Sequence, residues 1–192
     1  MPGSTPASPQ IAAFIQRLDQ AVSRGEVRAI CEGIKRALVE TVSADAELLP
    51  VSFLQPSTQK YARRLLHKDP AGRYSAVVMV WGPGQGTPVH DHAGQWCVEC
   101  VYRGRIKVTS YDIEGKAGGE RPVRFKQVGE VTAGVSEAGA LIPPYEYHKI
   151  ENPDSTSSVT IHIYCGEMTW YNAYYPAEGG YRLERRETYY TP

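Results

Sequence analysis

From Tyr74 onward the chain is a succession of short β-branched and aromatic runs, each cut by Gly, Pro or Asn. The runs are YSAVVMVWGPGQG, QWCVECVYRGRIKVTSYDIEG, VRFKQVGEVTAG, GALIPP, YHKIENP and SSVTIHIYCGE, and YRLERRETYYTP adds one more with its charges turned to solvent. Strands this short and this regularly punctuated argue for a sandwich or barrel rather than alternating βα units. The stretch before Tyr74 is patterned differently. PQIAAFIQRLDQAVSRG sets Ile11, Phe14, Ile15 and Leu18 at helical spacing, and VRAICEGIKRALVETVSAD does the same with Ile30, Ile34, Leu38 and Val42. TQKYARRLLHKDPAGR reads as a third helix or a turn-rich segment, closed by Pro70 and Gly72. The expectation is one mainly β domain, with a helical portion over residues 1–72 packed on a small antiparallel β-barrel over 73–192.

Bulk properties exclude several partners. A chain of 192 residues can bury one sizeable core. Lys+Arg and Asp+Glu number 21 each, so no net field draws in nucleic acid or an anionic membrane, and neither is expected as a partner. MPGSTPASPQ lacks the basic flank and apolar run of a signal peptide, and no apolar stretch is long enough to span a bilayer. Four cysteines are too few for a disulfide framework and fit a reducing, cytoplasmic setting. The chain is expected to be a soluble monomer.

The chemistry concentrates in GQGTPVHDHAGQWCVECVYRGR, residues 84–105. Of the five histidines, His67, His90, His92, His148 and His162, four lie in the β region. On an extended strand a His-x-His pair presents both rings on one face, because side chains alternate with a period of two. Converging imidazoles suit a metal, and His148 in PPYEYHKIEN is the best third ligand. The alternative is that His90 and His92 only flank a turn. WCVEC also resembles the Trp-Cys-x-x-Cys of thioredoxin-like proteins, but there the first cysteine opens a helix. Here the surroundings read as strand, which sends Cys97 and Cys100 to opposite faces. Cys100 and Cys31 are then small buried apolar residues. Thr160, His162 and Tyr164 occupy alternate positions of SVTIHIYCG and share a face, either as a functional set or as ordinary packing.

Gly84, five residues, His90-x-His92, four residues, Cys97, six residues and Gly104 together resemble the first cupin motif, with cysteine where most cupins carry a metal-binding glutamate. IPPYEYHKIEN is similar to the second motif, with Pro143, His148 and Asn152 in place and Tyr145 where glycine is usual. The ordered set Tyr61-x-Arg63, His90-x-His92, Cys97, His148 and His162-x-Tyr164 resembles the cysteine dioxygenase family over residues 58–175. That resemblance implies a cupin barrel holding Fe(II) on His90, His92 and His148, with L-cysteine and O2 as substrates and cysteine sulfinic acid as product. It implies that Arg63, beside Tyr61, takes the substrate carboxylate, that His162 orients the Tyr164 hydroxyl, and that Cys97 is joined to Tyr164 by a thioether. Trp96 and Tyr145 are expected to line the pocket or fill the core. Related enzymes that prefer 3-mercaptopropionate tend to carry glutamine and glycine in place of Arg63 and Cys97. Cys165-Gly166-Glu167 departs from the Ser-Pro-Pro that follows the tyrosine in well-described members. Two alternatives remain open at this point: a dioxygenase of 3-mercaptopropionate or another thiol, and a non-catalytic cupin that holds a metal as a binding or sensor module. Cupins acting on carbon substrates normally keep the glutamate that Cys97 replaces.

Overall fold

The computed structural model describes residues 8–23, 25–114, 122–144 and 146–192; Tyr145, expected near the pocket, lies outside them. Helix α1 spans Pro9–Val22 and α2 spans Val27–Ala44. Ser8 caps α1, its Oγ accepting the Ile11 N–H at 3.2 Å, with proline in the first turn where its missing N–H costs nothing. A short 3-10 turn, Val51–Leu54, leads into eleven strands. They are β1 Ala62–Lys68, β2 Tyr74–Trp81, β3 Val89–His90, β4 Cys97–Arg103, β5 Ile106–Glu114 and β6 Arg124–Ala133, then β7 Ala138–Leu141, β8 Tyr147–Glu151, β9 Ser158–Cys165, β10 Trp170–Ala177 and β11 Gly180–Glu187. One sheet runs β1-β2-β9-β4-β7 and the other β11-β10-β3-β8-β5-β6, with every paired strand antiparallel.

Strands β2 and β9 of the first sheet are buried on both faces, which is why β2 runs apolar without alternation, whereas β9 sets Thr160, His162 and Tyr164 on its inward face. Val77, Met79 and Trp81 of β2 point into the barrel, while Ala76, Val78 and Val80 lie under the helices. Phe14 and Leu18 of α1 and Ile34 and Leu38 of α2 cover that outer face. Each such side chain, fully buried, contributes about 1.5–3 kcal/mol. Strand β4 divides in the same way: Cys97 and Val101 face inward, and Val98, Cys100 and Tyr102 face the helices. The two cysteines of WCVEC therefore share no partner, and all four cysteines are free. Tyr102 ties the layers together, donating to Ala46 O at 2.7 Å and accepting the Leu49 N–H at 3.2 Å.

Two segments differ from the sequence expectation. The stretch expected as a third helix or a turn-rich segment contains the edge strand β1, paired with β2 through Arg63↔Met79 and Leu65↔Val77. Ala-Arg-Arg-Leu-Leu has good helix formers, but pairing along a fully apolar β2 outweighs a propensity worth only tenths of a kcal/mol per residue. Strand β10, WYNAYYPA, carries no clear period because of Asn172 and Pro176, yet it seats β3 through Ala173↔His90. Two glycines are required by close approach. A Cβ on Gly86 would stand 2.5 Å from Ile150 O, and one on Gly104, whose φ is +71°, would stand 2.5 Å from Ser158 Oγ. No helix among the described residues is long and apolar enough to cross a membrane.

Candidate active site

Strands β3 and β8 pair with His90 directly opposite His148, which brings their Nε2 atoms to 3.1 Å. His92 follows the end of β3 rather than continuing it, yet its ring centroid lies 5.2 Å from that of His90 and 5.0 Å from that of His148. The intervening Asp91 points the other way and fixes this turn. Its carboxylate accepts the Asn172 N–H at 3.0 Å, the Asn172 amide at 2.8 Å, the Tyr174 hydroxyl at 3.2 Å and the Ala93 N–H at 3.0 Å. One nitrogen from each of the three histidines lies within 4.8 Å of the others, a group that can hold a metal ion.

The donor set fits a divalent transition metal. Two imidazole nitrogens on one ion, each about 2.0–2.1 Å from it, stand about 3 Å apart, as those of His90 and His148 do. Burial lowers the pKa of all three rings, to about 4 for His90 and well below the usual value for His92 and His148. They are neutral at physiological pH, with lone pairs free to coordinate. His90 Nδ1 lies 3.1 Å from Pro88 O, which places its proton there and leaves Nε2 as the ligand.

A second group faces the histidines from β4 and β9. The register sets Cys97 opposite Tyr164, Glu99 opposite His162 and Val101 opposite Thr160. The Trp81 indole N–H donates to Thr160 Oγ1 at 2.8 Å, and that oxygen lies 2.8 Å from His162 Nε2. Cys97 Sγ is 3.9 Å from His162 Nδ1. Burial pushes the Cys97 thiol and the Tyr164 phenol well above their usual pKa values, so both keep their protons. The expected orientation of the Tyr164 hydroxyl by His162 is not the arrangement found. The two rings stack, 5.9 Å apart and 15° from parallel, and the hydroxyl is directed at Met79 Sδ, 3.8 Å away. Side chains two apart on one strand stand side by side, which favours stacking over a tip-to-edge contact.

Arg63 reaches the same cavity from β1. It is only 5% exposed, and its guanidinium lies 4.7 Å from the Tyr190 ring and 5.7 Å from that of Tyr164. Nη2 donates to Met168 O at 3.4 Å, while the buried Nε has no partner. The backbone of Arg63 is clamped by the tail of the chain: its N–H donates to Thr191 Oγ1 at 3.0 Å, and the Thr191 N–H donates to Arg63 O at 2.6 Å. Tyr61 packs against Trp81 in the same wall, the ring centroids 4.6 Å apart and the planes tilted by 37°. The cavity these residues line is small, about 60 Å³, a size for a molecule of few heavy atoms. Trp96 packs beneath the helices, not in this cavity.

Several pocket residues were not singled out from the sequence. Trp81 and Met79 sit at the inward positions of an all-apolar strand, where no period marks them. Glu99 and Glu146 stand beside the histidines rather than in this cavity; Glu99 was legible in principle, two residues from Cys97 on β4, whereas Glu146 precedes β8. Burial raises the Glu99 carboxyl to about 8 and the Glu146 carboxyl to about 7. Glu146 accepts the His92 N–H at 3.1 Å and stands 3.9 Å from His92 Nδ1.

An antiparallel barrel with three neutral imidazoles gathered inside it is that of a cupin able to hold a metal ion. The family model for cysteine dioxygenase type I matches residues 5–176, and the chain belongs to that family. It is 26% identical over 106 residues to cysteine dioxygenase type 1 of Rattus norvegicus, covering 55% of this chain and 50% of that protein. It is 23% identical over 115 residues to the Danio rerio protein of the same name, covering 59% and 55%. The chain thus spans about half the length of the curated relatives it matches. Among solved structures, a conserved protein with a double-stranded β-helix domain from Klebsiella pneumoniae aligns with a TM-score of 0.47 at 14% identity, over 76% of this chain and 95% of that one. TT1209 from Thermus thermophilus aligns at 0.46 and 17%, over 62% and 97%.

Proposed function

We propose that this protein is a thiol dioxygenase that converts L-cysteine and O2 to cysteine sulfinic acid at an Fe(II) centre held by His90, His92 and His148. The observation that carries the reading is a buried guanidinium, Arg63, with an unpartnered Nε in the same small cavity as three neutral histidines. Membership of the cysteine dioxygenase family supports it. The conversion R–SH + O2 → R–SO2H places both oxygen atoms on sulfur and calls for no external reductant. Fe(II), when bound, supplies a Lewis-acidic, redox-active centre at which a thiol loses its proton and dioxygen becomes reactive.

The chain's own residues do the rest. Arg63 presents a planar fork that pairs with the substrate carboxylate and sets the direction from which the sulfur arrives. Tyr61, packed against Trp81, forms the wall beside that carboxylate. Tyr164 keeps its phenolic proton and offers it inside the cavity, where a hydrogen bond gains strength from the low dielectric. His162, fixed by Thr160 and Trp81, keeps the tyrosine ring in place by stacking. The proximity imposed by this closed wall supplies part of the rate. In this reading the enzyme acts in the cytoplasm as a single chain.

Iron-loaded protein is expected to take up oxygen with L-cysteine in a 1:1 ratio to sulfinate formed, and faster than with 3-mercaptopropionate. A preference for the latter would reassign the substrate, and no uptake with any small thiol would leave a metal-holding binding module. The Cys97–Tyr164 pairing also supports the thioether. Joining Sγ to the phenol ring removes one hydrogen from each side chain, with O2 taking up both electrons and both protons. Mass spectrometry of tryptic peptides after turnover is expected to show the two segments joined and lighter by two hydrogens. Only the unlinked peptides after turnover would reduce Cys97 to a packing residue.

A further inference from the structure

The largely buried carboxyl of Glu99, its side chain 12% exposed, stands between the metal-binding histidines and the His162 group. Its Oε2 is 3.4 Å from His162 Nδ1 and its Oε1 is 3.9 Å from His148 Nδ1. Oε2 and His148 Nδ1 are both buried without a hydrogen-bond partner. Leaving such atoms unmet costs about 1–3 kcal/mol each, and Glu99 shares the wall of a second cavity with Val101, Leu141, Ile150 and Thr160.

The proton positions follow from the network. Indole N–H is a donor only, so Trp81 fills one acceptor site of Thr160 Oγ1 and leaves the Thr160 hydroxyl to donate to His162 Nε2. His162 then carries its proton on Nδ1, the side of Glu99. His148 directs Nε2 at His90 Nε2, the metal side, so its proton is also on Nδ1. Two N–H groups on two different rings therefore face one carboxyl.

We propose that Glu99 is a positioning residue for the metal centre, accepting the Nδ1–H of His148 and of His162 and so locking the ligand's tautomer and ring angle. A ligating histidine that donates its second N–H to a carboxylate is both oriented and made more basic. At 3.9 Å the contact to His148 is longer than a hydrogen bond, so on this proposal the ring would close on the carboxyl when His148 holds a metal. The inference rests on the three-histidine metal site of the proposed function and on none of its thiol chemistry.

The test is Zn(II) affinity, measured by competition with a chromogenic chelator on the full chain, for the unaltered protein, Glu99→Leu and Glu99→Gln. Leucine fills the volume without an acceptor; glutamine keeps one acceptor oxygen. Glu99→Leu is expected to bind Zn(II) about 10–100-fold more weakly, with Glu99→Gln recovering most of that loss. Metal-free Glu99→Leu is expected to melt at or above the unaltered protein's temperature, since it buries no unmet carboxyl, which separates the effect from misfolding. Zn(II) bound by Glu99→Leu within twofold of the unaltered chain overturns the proposal, as does a Glu99→Gln as weak as the leucine variant. Failure of the unaltered chain to bind Zn(II) overturns it together with the metal site. A chain that oxidises no thiol but loses Zn(II) on Glu99→Leu removes the dioxygenase reading and leaves this one standing.

Discussion

Replacing His148 with alanine is expected to strip the protein of metal and to abolish oxygen uptake with L-cysteine. His148 is held opposite His90 by the β3–β8 pairing, and no other described histidine can reach the vacated position: His162 is engaged by Thr160, and His67 lies at the edge of the first sheet beside Tyr74. A tetrahedral zinc site is worth about 10–16 kcal/mol over four ligands, so one imidazole accounts for roughly 3 kcal/mol, or about a hundredfold in affinity. Protein purified without added metal should then hold almost none, as read by atomic absorption beside the unaltered chain. The fold should survive, because the helix layer and the β2–β9 core do not touch this ring. Full metal occupancy in the alanine variant would mean that the third ligand is a different residue.

The second large effect is expected at Arg63. Arg63→Ala should lower kcat/KM for L-cysteine by about a hundredfold or more, since a carboxylate paired through two charge-assisted bonds loses about 3 kcal/mol when both go. Cysteamine, a thiol with no carboxylate, discriminates between two causes of the loss. If the guanidinium acts on the substrate, cysteamine turnover changes little, and the ratio of the two substrates shifts by the whole effect. An equal fall for both would mean that Arg63 supports the wall through its contacts with Tyr190 and Met168. Arg63→Lys should recover only part of the activity, because an ammonium keeps the charge without the fork.

What could be read in the sequence was whatever depends on local period or fixed spacing. Period two grouped Thr160 with His162 and Tyr164 and separated Cys97 from Cys100, and the structure has both arrangements; His90 and His92 also converge, but through the turn that Asp91 fixes after β3 rather than along one strand. The two helices were legible because their apolar residues recur at helical spacing against a single outer face of the sheet. Strand β1 was not, because an edge strand with two arginines offers, besides Ala62, only the adjacent Leu65 and Leu66 as apolar markers, one on each face. Glu99 escaped because an acid in a strand is ordinarily a solvent-facing residue, and Glu146 because it precedes β8 and so lies outside that strand's period of two. The contact between Arg63 and Thr191 links positions 128 residues apart and leaves no local trace at all.

That contact also bears on solubility. Strand β1 closes one side of its sheet, and an uncovered row of N–H and C=O groups there would be a template for a neighbouring molecule's strand. Thr191 occupies the amide and the carbonyl of Arg63, so the tail blunts this margin at the point where the substrate arm begins. Fraying of the last residues would then uncover a sticky border and loosen the carboxylate-binding arm in one motion, joining resistance to aggregation with the fidelity of the pocket.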